Sequence, residues 1–123
     1  MGYLYIGNQR FTPIFGGGEN YKTVHIDTST ANITLSTYTI YIANNALTEL
    51  VITPPSDIRE DFIAQLNFVS GNTPTVITTN DIELFGDNVN ENTGFVPREN
   101  CEYTIMFYYT GTTVRGVIQG NSL

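Results

Sequence analysis

The sequence predicts an all-β protein: a single antiparallel β-sandwich, jelly-roll-like or barrel-like, preceded by an extended N-terminal arm. Three observations carry that prediction. Thr, Asn, Tyr and Ile are abundant in the 123 residues, while charged residues make up only 14%, well below the roughly 25% of an average globular chain. Thr, Tyr, Ile and Phe suit a pleated, half-buried surface, whereas the helix formers Ala and Lys are scarce. Finally, about eight or nine short apolar runs alternate with turn residues at roughly ten-residue spacing.

The elements follow in chain order. Tyr3–Ile6 and Phe11–Phe15 read as two short extended pieces around a Gly7-Asn8 turn signal. Gly16-Gly17-Gly18 then breaks the chain with maximal backbone freedom. The break divides the chain into an attachment arm with glycine linker, residues 1–18, and a β-domain, residues 19–123. The functional reading of the arm is a segment that docks on another subunit. The alternative is an ordinary edge hairpin followed by a flexible loop.

In the domain, Tyr21, Thr23, His25 and Asp27 alternate with Lys22, Val24 and Ile26. Asn32–Leu35, Tyr38–Ala43 and Leu47–Thr53 are strand-length, and Pro54-Pro55 stops the third. Asp61–Ser70 is the clearest strand of the first half: Phe62, Ala64, Leu66 and Phe68 share the face expected in the core, and Ile63, Gln65, Asn67 and Val69 the other. A helix capped by Ser56 competes for this stretch, but the period-two aromatics and the Ser70-Gly71-Asn72 turn favour a strand. Thr75–Thr79 and Asp81–Phe85 follow. Residues 86–94 read as a long polar loop, after which Phe95-Val96-Pro97 re-enters the core. Cys101–Tyr109, a turn at Thr110-Gly111, and Thr112–Gln119 predict a β-hairpin.

Charge and composition exclude several functions. The formal net charge is -7, and Arg10, Lys22, Arg59, Arg98 and Arg115 are scattered, so neither nucleic acid nor an anionic membrane surface is an expected partner. The single cysteine, Cys101, opens an apolar run and reads as a small buried hydrophobe. The opening residues lack the basic and apolar regions of a signal peptide, and the expectation is a soluble protein made in a cytosol. No run approaches the roughly 20 apolar residues that span a bilayer.

Catalysis finds no foothold. His25 is the only histidine and lies in an alternating strand without a nucleophile motif. One His and one Cys fall short of a zinc site, and the glycine run lacks the Lys and helix of a phosphate loop. Asp81, Glu83, Asp87 and Glu91, with Asn88, Asn90 and Asn92, offer hard oxygen ligands but not in the order of a calcium loop. They read as a solvated acidic loop, and neither metal nor cofactor is expected. Tyrosines are the more suggestive residues: Tyr108 and Tyr109 fall on opposite faces, and one of Tyr38 and Tyr41 is expected to point away from the core. They either contact a ligand or neighbour, or line the rim of a sheet.

Asp61–Phe68 with Ser70-Gly71, then Phe95-Val96-Pro97, then Tyr103–Gly111 with Arg115-Gly116 resemble a small β-domain of virion proteins in tailed bacteriophages of Gram-positive, often gut, bacteria. In that group such domains end head-fibre, decoration or tail-associated proteins. The opening Tyr3–Asn8, with Pro13-Ile14 and the glycine run, resembles their N-terminal tethers. The likeness covers most of residues 57–118 and the arm, while residues 20–56 match no motif. Core and turn residues speak for fold more than for role.

The resemblance implies a non-enzymatic virion component assembled in the host cytoplasm, with capsid decoration or head fibre favoured over a tail component. It also implies an oligomer, a trimer by analogy with phage fibres, whose partner is a major capsid or tail protein. The anchoring residues would be Tyr3, Leu4, Tyr5, Ile6, Phe11, Ile14 and Phe15, with Gly16, Gly17 and Gly18 as hinge. The alternative is a carbohydrate-binding module that turns Tyr38, Tyr41, Tyr108, Asp87 and Glu91 toward a host-surface glycan.

Overall fold

The structure is a computed structural model that describes residues 21–123 in full and, before them, the backbone of two short strands. Those two are β1 (Leu4–Ile6) and β2 (Gln9–Phe11). The body holds β3 (Lys22–Ile26), β4 (Thr30–Thr34), β5 (Thr39–Ala43), β6 (Glu49–Thr53), β7 (Ile63–Ser70) and β8 (Val76–Thr79). It continues through β9 (Ile82–Gly86), β10 (Val89–Asn90), β11 (Gly94–Phe95), β12 (Cys101–Tyr109) and β13 (Val114–Ser122). Among the described residues there is no helix. The stretch from Asp57 that could have started one becomes a loop leading into β7.

The expected all-β class holds, but the antiparallel pairing does not. β3, β5 and β7 pair in parallel in one sheet, and β4, β6 and β8 pair in parallel in a second. The chain therefore alternates between two sheets and lays down three successive coils. Parallel neighbours require a crossover, and here the crossover is the strand in the opposite sheet. At one end the coil turns stack through main-chain and side-chain hydrogen bonds. Asn44 N donates to Ile26 O (2.9 Å), Thr48 N to Ser29 O (2.7 Å), and Val76 N to Thr48 O (2.9 Å). Asn44 Nδ2 and Asn45 Nδ2 donate to Asp27 Oδ1 and Asp27 O across the first two turns.

The second half is built as the sequence suggests. β12 and β13 form an antiparallel hairpin from Cys101↔Ser122 to Tyr109↔Val114, and β12 also pairs antiparallel with β7. Gly111 in the turn has φ 99°, a conformation that favours glycine. β9 then runs parallel to β13 at the far edge, completing a six-stranded sheet in the order β3-β5-β7-β12-β13-β9. The stretch 86–94, expected as loop, contains β10 and pairs with β11 as a small hairpin (Val89↔Phe95).

Both sheets close on one core. Ile33, Leu50 and Ile52 from the three-stranded sheet meet Tyr41, Leu66, Phe68, Tyr103, Ile105 and Phe107 from the other. The face of β7 predicted to be core, Phe62, Ala64, Leu66 and Phe68, is buried throughout. Cys101 is buried as well, as its place at the head of an apolar run predicts. Phe68 stacks on Tyr103 (5.4 Å between centroids, 25° between planes), and Phe95 meets Tyr103 edge-on at 5.2 Å.

Candidate docking surface

The outward face of the six-stranded sheet departs from the usual polar exterior. Because Tyr41, Leu66, Ile105 and Ile118 point into the core, the alternate residues of each strand must point outward. Strand register sets Thr23, Ile40, Gln65, Met106, Val117 and Phe85 side by side across all six strands. The next row is His25, Ile42, Asn67, Thr104 and Gln119.

On this face Ile40 (0% exposed) and Ile42 (6%) form a second apolar cluster with Tyr21, Tyr38, Ile63 and Val69. No side chain of β4, β6, β8, β10 or β11 belongs to it, since those strands pack in the main core. All five residues of β5 are buried, the mark of a parallel strand covered on both faces. Across β12, β13 and β9 the face opens and mixes apolar with polar side chains: Met106, Tyr108 and Phe85 are exposed and Val117 is half-buried, with Arg115 and Glu83 in the row of Tyr108.

Polar groups are trapped among these residues. Gln65 and Asn67 are buried, and Gln65 Nε2 donates to Asn67 Oδ1 at 3.1 Å. Glu102, one strand over, is 1% exposed. Among the described residues Asn67 Nδ2 and Glu102 Oε2 are buried without a hydrogen-bond partner. Burial without compensation pushes the Glu102 carboxyl above its ordinary range. At the β9 edge, the Arg115 guanidinium lies 5.3 Å from the Phe85 ring centroid, and its Nε is 3.9 Å from Glu83 Oε2.

The residues expected to face a ligand are not brought together. Tyr38 belongs to the outward cluster and holds φ 50°. Tyr108 is on the same face and exposed. Tyr41 is corrected: it is buried in the core, where its hydroxyl accepts from Ser36 N (2.9 Å) and donates to Thr34 O (3.3 Å). Asp87 accepts from Gly120 N at 2.9 Å and so ties its loop to β13. Glu91 instead borders a cleft of about 550 Å³ beside Phe85, Asn90 and Phe95.

Among the anchoring residues, Leu4, Tyr5, Ile6 and Phe11 fall in β1 and β2, which pair antiparallel as Leu4↔Phe11, Tyr5↔Arg10 and Ile6↔Gln9. Tyr3, Ile14, Phe15 and the hinge Gly16, Gly17 and Gly18 lie outside the described residues. The second extended piece, expected at Phe11–Phe15, shares Phe11 with β2, and its other residues lie outside the described ones.

Sequence reasoning missed Ile40, Ile42, Gln65, Asn67 and Glu102 as surface-forming residues. A signal was present: Tyr38–Ala43 is apolar on both of its faces, and a strand with a wet side is not. Among the described residues no group of three or more His, Cys, Asp and Glu could hold a metal ion, and no helix is long and apolar enough to cross a membrane. Compared with family models, curated proteins and solved structures, the chain matches none.

Proposed function

We propose that this chain is a structural or accessory protein of a bacteriophage virion, a capsid decoration or head fibre before a tail component, held to the particle by its leader. The observation that carries the reading is the strand pairing of the leader. β1 and β2 pair with each other and join neither main sheet. An apolar hairpin outside the body's own sheets suits a segment that adds to a neighbour's sheet. The resemblance of Asp61–Phe68 and Tyr103–Gly111 to phage virion domains supports the same reading, with the two sheets forming a sandwich-type module. Homo-oligomers, trimers above all, are part of the proposal.

The test is deletion of residues 1–18. A folded domain that no longer enters particles is expected, and retained incorporation overturns the reading. Mass spectrometry of purified heads and tails, analysed separately, decides between decoration and tail component.

A second reading has one observation in its favour. The cleft that sets the exposed ring of Phe85 beside Glu91 and Asn90 offers an aromatic face next to polar groups, the pairing that sugar rings use. Absence of binding on a glycan array, with and without calcium, overturns that reading.

A further inference from the structure

We infer that the open end of the coil stack is a contact between two copies of this chain, joined about a twofold axis that passes Val24 and Asn32. The inference goes beyond the virion reading and does not depend on it.

The two ends of the stack are finished differently. Beside the third coil, β12, β13 and β9 extend one sheet, and Phe95 closes on Phe68 and Tyr103. The first coil has no such finish. β3 and β4 each stand at the edge of a sheet, and among the described residues no strand lies beyond either. Stacked repeats expose their core at an uncapped end. Val24 shows the consequence. It is in register with Tyr41 and Leu66, which point into the core, so it points there too, yet it is 40% exposed. A cleft of about 410 Å³ opens between β3 and β4, bordered by Val24, Ile26, Ala31 and Ile33.

The main chain is open at the same end. Lys22 N donates to Tyr38 O (2.8 Å) and Ile26 O accepts from Asn44 N (2.9 Å), so both residues turn their main-chain groups toward β5. Strand alternation then turns the N–H and C=O of Thr23 and His25 to the open side. Following β4, Leu35 N donates to Thr53 O (2.9 Å), and by the same alternation the main-chain groups of Asn32 face away from β6.

An occupant must present two strand edges at once, roughly 10 Å apart, with apolar side chains between them. A single extended peptide meets one edge and leaves the cleft open. The first coil of a second copy has both edges, and the match is self-complementary. Val24 and Asn32 are equidistant in sequence from Thr28, the middle of the bend between the strands, so one axis normal to the sheets passes both. About that axis β3 pairs antiparallel with β3 of the second copy, and Thr23 exchanges main-chain hydrogen bonds with His25. Val24 faces Val24, and Ala31 faces Ile33 across the β4 pair, which closes one core over both clefts. No like charges are opposed: Lys22 falls opposite Ile26, and β4 carries no charged residue. Two five-residue edges make a small face, so the pair forms at high protein concentration.

Cysteine cross-linking on the full-length chain tests the axis. Val24 faces itself in a non-hydrogen-bonded antiparallel pair, where Cα atoms lie about 4.5 Å apart, within disulfide reach. Lys22→Cys, on the same edge, would stand about 14 Å from its counterpart. Val76→Cys, exposed on the edge strand β8 of the third coil, is the control. Under mild oxidation Val24→Cys is expected to form a covalent dimer several-fold faster than either, in a chain whose own thiol, Cys101, is buried. Equal rates, or a faster Lys22→Cys, overturn the inference.

Sedimentation of the parent and of Val24→Lys gives the second readout. The parent mass should double as concentration rises. Val24→Lys sets two ammonium groups against each other on the axis and should abolish the doubling with strand content unchanged. A parent that never doubles, or a doubling that survives the substitution, overturns the inference. Should Val24→Lys unfold, the cysteine comparison decides alone. Neither readout uses particles, so failure here and failure of the virion reading are separable outcomes.

Discussion

The Tyr103 hydroxyl donates to Asn88 Oδ1 at 2.7 Å while accepting from Arg98 N, also at 2.7 Å. One phenol thus fastens both ends of the 88–98 excursion to the first half of β12. Asn88 holds φ 62°, a left-handed conformation that Asn tolerates better than most residues. The ring below is held by Phe68 and Phe95, and burial keeps the phenol above its ordinary range. The loop's geometry is therefore set by a residue in the sheet.

Tyr103→Phe keeps the ring contacts and removes the fastening. Asn88 Oδ1 and Arg98 N each lose a partner in a part-buried setting, and a cost of about 1–3 kcal/mol is expected. Urea unfolding measures it. Hydrogen exchange at the Arg98 amide should accelerate more than at β12 amides; equal acceleration would mean a global effect only.

Gly120 lies opposite Tyr103 in the β12–β13 ladder, and a Cβ there would stand 2.7 Å from Tyr103 Cε1. The ring is pinned by its two hydrogen bonds and its aromatic neighbours and has little room to retreat. Gly120→Ala is expected to cost about 1–3 kcal/mol as overpacking. In a Tyr103→Leu background the same substitution should cost less, because the obstructing ring is gone. A double-mutant cycle by urea denaturation reads the difference, and additive costs would contradict the steric account.

Glu102 gives the protein a pH dependence of known sign. Its carboxyl is raised in the folded state from an ordinary value of 4.5 by desolvation. Between 4.5 and the raised value the unfolded chain has released its proton while the folded chain still holds one. The unfolded state binds fewer protons there, so stability falls as pH rises through that window. Glu102's contribution is thus fully present below 4.5 and lost above the folded value. The stability difference between Glu102→Gln and the parent should grow in the variant's favour from pH 4 to pH 8. Thermal unfolding at several pH values checks it, and a difference that shrinks with rising pH would reverse the assignment.

The faces of strands were legible in the sequence and their directions were not. Alternation in Phe62, Ala64, Leu66 and Phe68 identifies the inward side whichever way the neighbour runs, because side-chain period is two in both pairings. Short turns between strands suggested antiparallel neighbours, yet β3 and β5 are joined through β4 in the other sheet. The coils left no visible repeat because their lengths differ: Lys22 pairs with Thr39, but Thr39 pairs with Ala64 across a much longer interval that includes Pro54-Pro55. The β12–β13 hairpin was legible because its partners are adjacent in sequence and Gly111 marks the turn. The outward surface was hidden for another reason. Gln65 and Asn67 look like solvent-facing residues in isolation, and only the strands beside them reveal that they are buried.

Thr75 tests the coil itself. Its hydroxyl donates to Leu47 O at 2.6 Å, and its amide donates to Ser70 Oγ at 3.0 Å across its own turn. Leu47 N in turn donates to Val69 O at 2.9 Å, so the turn after β7 and the turn after β5 are laced together. Thr75 is buried, and its hydroxyl serves a carbonyl that water does not reach in its place. Thr75→Val preserves shape and β-branching while stranding Leu47 O, an expected cost of about 1–3 kcal/mol. Thr75→Ser keeps the hydroxyl and should recover most of that loss. The loss should appear as faster hydrogen exchange at Val76 and Leu47, whose amides hold successive coils together, before it appears in the β12–β13 hairpin. An antiparallel sandwich has no reason to couple those two turns, so equal loosening everywhere would argue against stacked coils.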